Sequence, residues 1–72
     1  MNRFLSDIKQ PAIVRVKNVH GTDSIRLLEM GITPGISLEV IRMAPLGFPI
    51  EVKVRGYLLS LRKSEAHCIE IE

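Results

Sequence analysis

From Ile50 to Leu61 the chain alternates apolar and polar residues twice, with a tight reversal between the two runs. Ile50, Val52 and Val54 alternate with Glu51, Lys53 and Arg55; Leu59 and Leu61 alternate with Ser60 and Arg62. A period of two sends successive side chains to opposite faces of a strand, so the pattern fits half-buried β-structure and not an amphipathic helix. The link Arg55-Gly56-Tyr57 is far shorter than the roughly dozen residues a parallel crossover needs. These strands must therefore be antiparallel neighbours, and the rest of the fold must be built around that hairpin.

The flanking segments extend the same theme. Ala12, Val14 and Val16 alternate with Arg15 and Lys17 in a run from Ala12 to Val19, broken by His20-Gly21-Thr22. Thr22, Asp23 or Ser24 can cap a short helix in which Ile25, Leu28 and the flanking Leu27 and Met30 form an apolar stripe, with Arg26 and Glu29 outside it. Gly31 suits the left-handed residue that ends such a helix, and Ile32 the contact that accompanies it. About two turns of helix do not persist alone, so this one must lie on a sheet. Pro34-Gly35 fits a type II turn. A strand from Ser37 to Met43 follows, with Val40 and Ile41 adjacent as at a bulge. Ala44 to Pro49 reads as a loop, Ser64-Glu65-Ala66 as one helical turn, and Ile69 and Ile71 as a last strand.

Five short strands and one short helix after the first of them describe a mostly β fold, a small SH3-like antiparallel barrel. An oligonucleotide-binding-type barrel is the structural competitor. Closure would also remove the unpaired edges that an open sheet exposes. At 72 residues the chain makes one small domain, read as 1–72.

Ten Lys and Arg against eight Asp and Glu leave a net charge of +2, with the signs interleaved along the strands. That is not the dense basic patch of a phosphate-gripping protein. The single cysteine, Cys68, makes no internal disulfide, unlike the bridged frameworks of small secreted domains. No apolar stretch is long enough to span a membrane, and an acid at Asp7 interrupts any leader. The expectation is a cytoplasmic protein with no direct membrane insertion.

Catalytic chemistry is not visible. The two histidines are far apart, each glycine has a turn role, and no glycine-rich phosphate loop follows a strand. We expect no enzyme, no cofactor and no metal ligand. His67-Cys68 is the one pair that suggests a metal, but strand neighbours point to opposite faces. In phase with the last strand, His67 falls beside Ile69 and Ile71, and Cys68 on the solvent side with Glu70 and Glu72. What points outward is the loop. Leu46 and Phe48 flank Gly47 between Pro45 and Pro49, and large apolar side chains on a loop are candidate anchors. The competing reading plugs the barrel end with them; it is favoured for Leu46 and balanced for Phe48. Leu46, Gly47, Phe48 and Pro49, with Arg26 on the helix and Tyr57 at the hairpin, are the candidate partner-binding residues.

Taken in order, these segments resemble the FeoA family. Arg26-Leu27-Leu28-Glu29-Met30-Gly31-Ile32-Thr33-Pro34-Gly35 is similar to its signature segment. Ala44 to Ile50, Val54 to Tyr57, Leu59 to Arg62 and the closing Ile69 to Glu72 match its second half. The resemblance implies an SH3-like accessory of bacterial ferrous iron uptake, with no catalytic residues and no metal cage. The implied partner is the cytosolic part of the FeoB-type membrane transporter, which carries a GTPase domain. Self-association stays open, because apolar loops also join like copies. The alternatives are a nucleic-acid-binding barrel, which lacks stacking aromatics beyond Phe4, Phe48 and Tyr57, and a metal sensor using His67 and Cys68.

Overall fold

All five alternating runs form strands, and each pairs antiparallel with its neighbours. The computed structural model describes residues 3–72. In chain order they form β1 (Arg3–Phe4), a 3-10 turn (Leu5–Asp7), β2 (Ala12–Val19), α1 (Ser24–Glu29), β3 (Ser37–Met43), β4 (Ile50–Val54), β5 (Tyr57–Leu61), α2 (Lys63–Ala66) and β6 (Ile69–Ile71). The strands line up as β1-β6-β2-β3-β4-β5 in one six-stranded sheet. This is the mostly β, antiparallel, SH3-like class that the sequence predicts. The sixth strand is β1, which has only two residues and no alternation to betray it.

The sheet curls because β2 serves two partners. Its first half pairs with β3 and its second half with β6, and its register with β6 shifts between Val16 and Asn18. At the changeover the Val16 N–H donates to Ile36 (2.9 Å), while the Val16 carbonyl accepts from Gly35 (2.8 Å). The Pro34-Gly35 turn is thus stitched to the bend, and Gly35 takes the expected positive φ of 95°. In β3 the register slips between Val40 and Arg42, where the adjacent apolar pair predicts a bulge. Closure by hydrogen bonding does not follow. Among the described residues β1 and β5 end the strand order without pairing, since a two-residue β1 is too short to bridge to β5.

The alternating set fills the interior. Val16, Leu38, Val40, Ile50, Val52, Val54, Leu61 and Ile69 are all essentially inaccessible, with Leu27 from α1 and Leu5 from the 3-10 turn above them. The expected stripe of α1 is narrower than its sequence suggests. Leu27 is buried and Met30 packs against the core, but Ile25 is 71% exposed and Leu28 41%. A six-residue helix resting on a curved sheet has contact for one line of side chains only.

A second correction concerns the C-terminal strand. His67 is not in phase with Ile69 and Ile71, because it still has helical φ and ψ as the C-cap of α2. It is exposed, whereas Cys68 packs partly against the core. Glu70, assigned to solvent, is buried at 5% exposure. Helical backbone persists through His67, so the strand begins only at Ile69, and β6, flanked by β1 and β2, has all three of its residues buried.

Candidate interaction surface

The loop between β3 and β4 is a turn within a turn. Its base closes through Ala44 N–H to the Pro49 carbonyl (3.1 Å) and its tip through Gly47 N–H to the Ala44 carbonyl (2.7 Å). Pro45 occupies the first central position of the inner turn, where its fixed φ belongs. Leu46 takes the second central position, at the apex, and is 96% exposed. The favoured sequence reading, Leu46 folded into the core, is overturned. Nothing bends an apex residue back once Ala44 and Gly47 are bonded across it.

Phe48 does the opposite. Past the apex, Gly47 has φ 101° and the Phe48–Pro49 peptide is cis. Phe48 turns inward, half-buried against the core. With Ile8, Lys9, Met43, Ala44, Pro45 and Gly47 it lines a shallow cavity of about 250 Å³. Of the two apolar residues in the loop, one seats it and the other projects from it.

Arg26 and Tyr57 hold α1 in place. The Arg26 guanidinium lies 3.3 Å from Glu65 Oε2, and Glu65 is almost fully buried. Glu65 Oε1 also accepts the Arg62 backbone N–H at 2.8 Å and lies 3.6 Å from Arg62 Nε. One buried carboxylate thus joins α1, α2 and the end of β5. At the other end of α1, Ile32 N–H donates to Leu27 and Gly31 N–H to Leu28, both at 3.0 Å. This is a Schellman arrangement with Gly31 at φ 93°. The next carbonyls are capped from the hairpin: the Tyr57 hydroxyl donates to Met30 O. Arg55 Nε donates to Gly31 O, and its Nη2 to Thr33 Oγ1, each at 3.1 Å. Asp23 stands at the N-cap without a side-chain capping bond.

The candidate residues do not gather at one place. Leu46 to Pro49 precede β4 and Tyr57 follows it, so five residues of extended strand separate them, roughly 15 Å. The molecule offers an apolar apex at one end of β4 and, at the other, a helix end with Tyr57 half-exposed beside it.

A polar cluster that the sequence reading missed lies around Phe4. Its ring stacks on His67 (centroids 5.7 Å, 24°) and meets His20 edge-on (6.5 Å, 67°). His20 Nε2 is 2.7 Å from Glu70 Oε1, and Lys17 Nζ is 3.6 Å from Glu70 Oε2. The hydrogen bond to His20 holds the Glu70 carboxyl below its ordinary range; burial opposes this and Lys17 reinforces it. The available signal was Glu70 itself, an acid between two apolar strand residues. His67 Nδ1 meets Ser6 Oγ at 3.1 Å, and the Cys68 thiol donates to the Ser64 carbonyl at 3.2 Å. These two candidate metal ligands therefore engage different partners, and no group of three or more His, Cys, Asp or Glu converges among the described residues. No helix among them is long and apolar enough to cross a membrane.

The fold and these surfaces define the class: a small SH3-like β-domain whose outward features are an apolar apex, a capped helix and ion pairs. The FeoA domain model matches residues 4–72, and the chain belongs to the FeoA family. It is 40% identical over 63 residues to a Porphyromonas gingivalis protein, an Fe(2+) transport protein A/Fe(2+) transporter FeoB fusion. The match spans 88% of this chain and 7% of that one. Among solved structures, a FeoA-like protein from Clostridium acetobutylicum superposes with a TM-score of 0.90 at 34% identity, covering 99% of this chain and 85% of the other. The zinc complex of Stenotrophomonas maltophilia FeoA, an SH3 domain protein, gives a TM-score of 0.81 at 28% identity, covering 100% and 89%.

Proposed function

We propose that this chain serves ferrous iron transport as an interaction module that docks on the cytosolic, GTPase-containing part of a FeoB-type transporter. The observation that carries this reading is the Porphyromonas gingivalis relative, in which a FeoA segment and FeoB share one polypeptide. Two proteins fused in one organism are commonly partners when separate, because fusion replaces an encounter by a high effective concentration. Family membership supports the same assignment.

Leu46 is the anchor in this reading. Its side chain is presented on a doubly hydrogen-bonded turn, so little conformational freedom is lost on burial. Gly47 and Pro49 shape the loop, Phe48 seats it, and Arg26 and Tyr57 keep α1 in position at the other end of β4. The test is a titration of this chain against the cytosolic GTPase domain of the transporter from the same organism. Wild type binds, and Leu46→Asp binds at least about tenfold more weakly with an unchanged melting temperature. Wild type that fails to bind refutes the assignment, and full affinity in Leu46→Asp moves the interface off the loop.

A further inference from the structure

The two ends of the sheet are built differently. β1 presents two residues, whereas β5 presents five, Tyr57–Leu61, with no Lys, Glu or Pro among them. Proteins usually guard an exposed edge with such residues, because unpaired N–H and C=O groups template the addition of another strand. β5 carries no guard.

The groups left open follow from the hairpin. Arg55 (φ 50°) and Gly56 (φ 87°) form its two-residue turn, so Val54 and Tyr57 exchange both main-chain bonds. Alternation makes Val52–Leu59 and Ile50–Leu61 the other bonded pairs. The N–H and C=O of Leu58 and Ser60 therefore point away from β4. Arg62 would be next, but its N–H is bonded to Glu65 and its C=O to Ala66 N–H, which ends the edge. Among the described residues nothing bonds the four main-chain groups of Leu58 and Ser60. Leu58 is 59% exposed.

Charge selects the occupant. From Val52 to Ser64 the chain holds Lys53, Arg55, Arg62 and Lys63 and no acid. The bordering acids are committed, Glu51 to Arg42 at 2.9 Å and Glu65 to Arg26 and Arg62. Lys53 and Arg55, the latter also capping the end of α1, thus stand near the hairpin end of an apolar edge and Lys63 at the other end, where Arg62 is shared with Glu65. A second copy is a poor fit: two-fold antiparallel pairing of β5 would bring Arg55 of one copy opposite Lys63 of the other. We infer that the outer edge of β5 is a strand-addition site for an extended acidic segment of a partner protein, apolar where it meets Leu58 and Leu59 and carrying Asp or Glu at both ends. Main-chain bonds to Leu58 and Ser60 would hold it and the flanking cations would set its register. This site is distinct from the Leu46 apex and goes beyond the docking proposed there.

Residue-resolved amide hydrogen exchange on the full chain tests it, with the peptide Asp-Glu-Val-Ile-Val-Glu-Asp as probe and Lys-Lys-Val-Ile-Val-Lys-Lys as control. In the free chain Leu58 and Ser60 should exchange fast while Leu59 and Leu61 are protected. The acidic peptide should slow Leu58 and Ser60 at least about tenfold, and the basic one should not. Ser60→Pro removes one outward N–H and spares the β4 ladder, so it should abolish the effect without unfolding the hairpin; Leu58→Asp, on an exposed position, should weaken it by repulsion. Protection of Leu58 and Ser60 in the dilute free chain, or no response to the acidic peptide, overturns the inference. Protection that rises with protein concentration alone assigns the edge to a second copy and overturns it too. If the transporter domain binds through Leu46 while the peptide does nothing, the proposed function stands and this site falls. A peptide response without transporter binding keeps this site and removes the proposed docking.

Discussion

Gly31→Ala separates the intrinsic strain of a helix end from the tertiary contacts built around it. At φ 93° an alanine is disfavoured by about 1–2 kcal/mol, partly offset because alanine restricts the unfolded chain by about 0.4–1 kcal/mol. Gly35, at φ 95° with no atom within 4 Å of the place an added methyl would take, should show that intrinsic effect alone, close to 1 kcal/mol. At Gly31 the added Cβ would lie 3.2 Å from Arg55 Cδ and Nε and from the Tyr57 hydroxyl. Those groups must retreat from the Gly31 and Met30 carbonyls they cap, at about 1 kcal/mol for each hydrogen bond weakened. Gly31→Ala should therefore destabilise by about 1–2 kcal/mol more than Gly35→Ala, out of a total near 4–11 kcal/mol for a domain this size. Urea unfolding of both variants reads the difference. In a Tyr57→Phe background the excess should shrink, because one of the displaced bonds is already missing. Equal losses at Gly31 and Gly35, or an excess that ignores Tyr57, would show that the hairpin does not hold the helix end.

Leu27→Ala, which empties the one fully buried position of α1, should cost about 3 kcal/mol, whereas Ile25→Ala on the exposed side should stay within about 0.5 kcal/mol; comparable losses in denaturant melts would contradict the narrow stripe. Glu70 supplies a pH prediction. Its folded-state pKa lies below the unfolded one, so its stabilisation is complete above the ordinary carboxylate range and fades as pH falls through the folded-state value. Denaturation midpoints between about pH 7 and about pH 3 should fall less steeply in Glu70→Gln than in wild type, and superimposable acid limbs would remove Glu70 as a contributor.

The sequence by itself determined five of the six strands, the turns and the family. Alternation at Ile50–Val54 and Leu59–Leu61, Gly31 after a short apolar run, and the adjacent Val40 and Ile41 each encode local geometry through the backbone, and each appears as predicted. Such features are legible because neighbours in sequence impose them. Tertiary structure decided which apolar side chains face outward. Leu46 and Phe48 have the same chemistry two residues apart; the turn across Ala44 and Gly47 leaves Leu46 in solvent, whereas packing against a core drawn from the whole chain seats Phe48. Ile25, Leu28 and Leu27 share one helix, yet the curvature of the sheet buries just the last. Glu65 and Glu70 look like surface acids until long-range folding brings Arg26 and His20 to them. Burial and ion pairing depend on residues far apart in the chain, and local pattern does not record those distances.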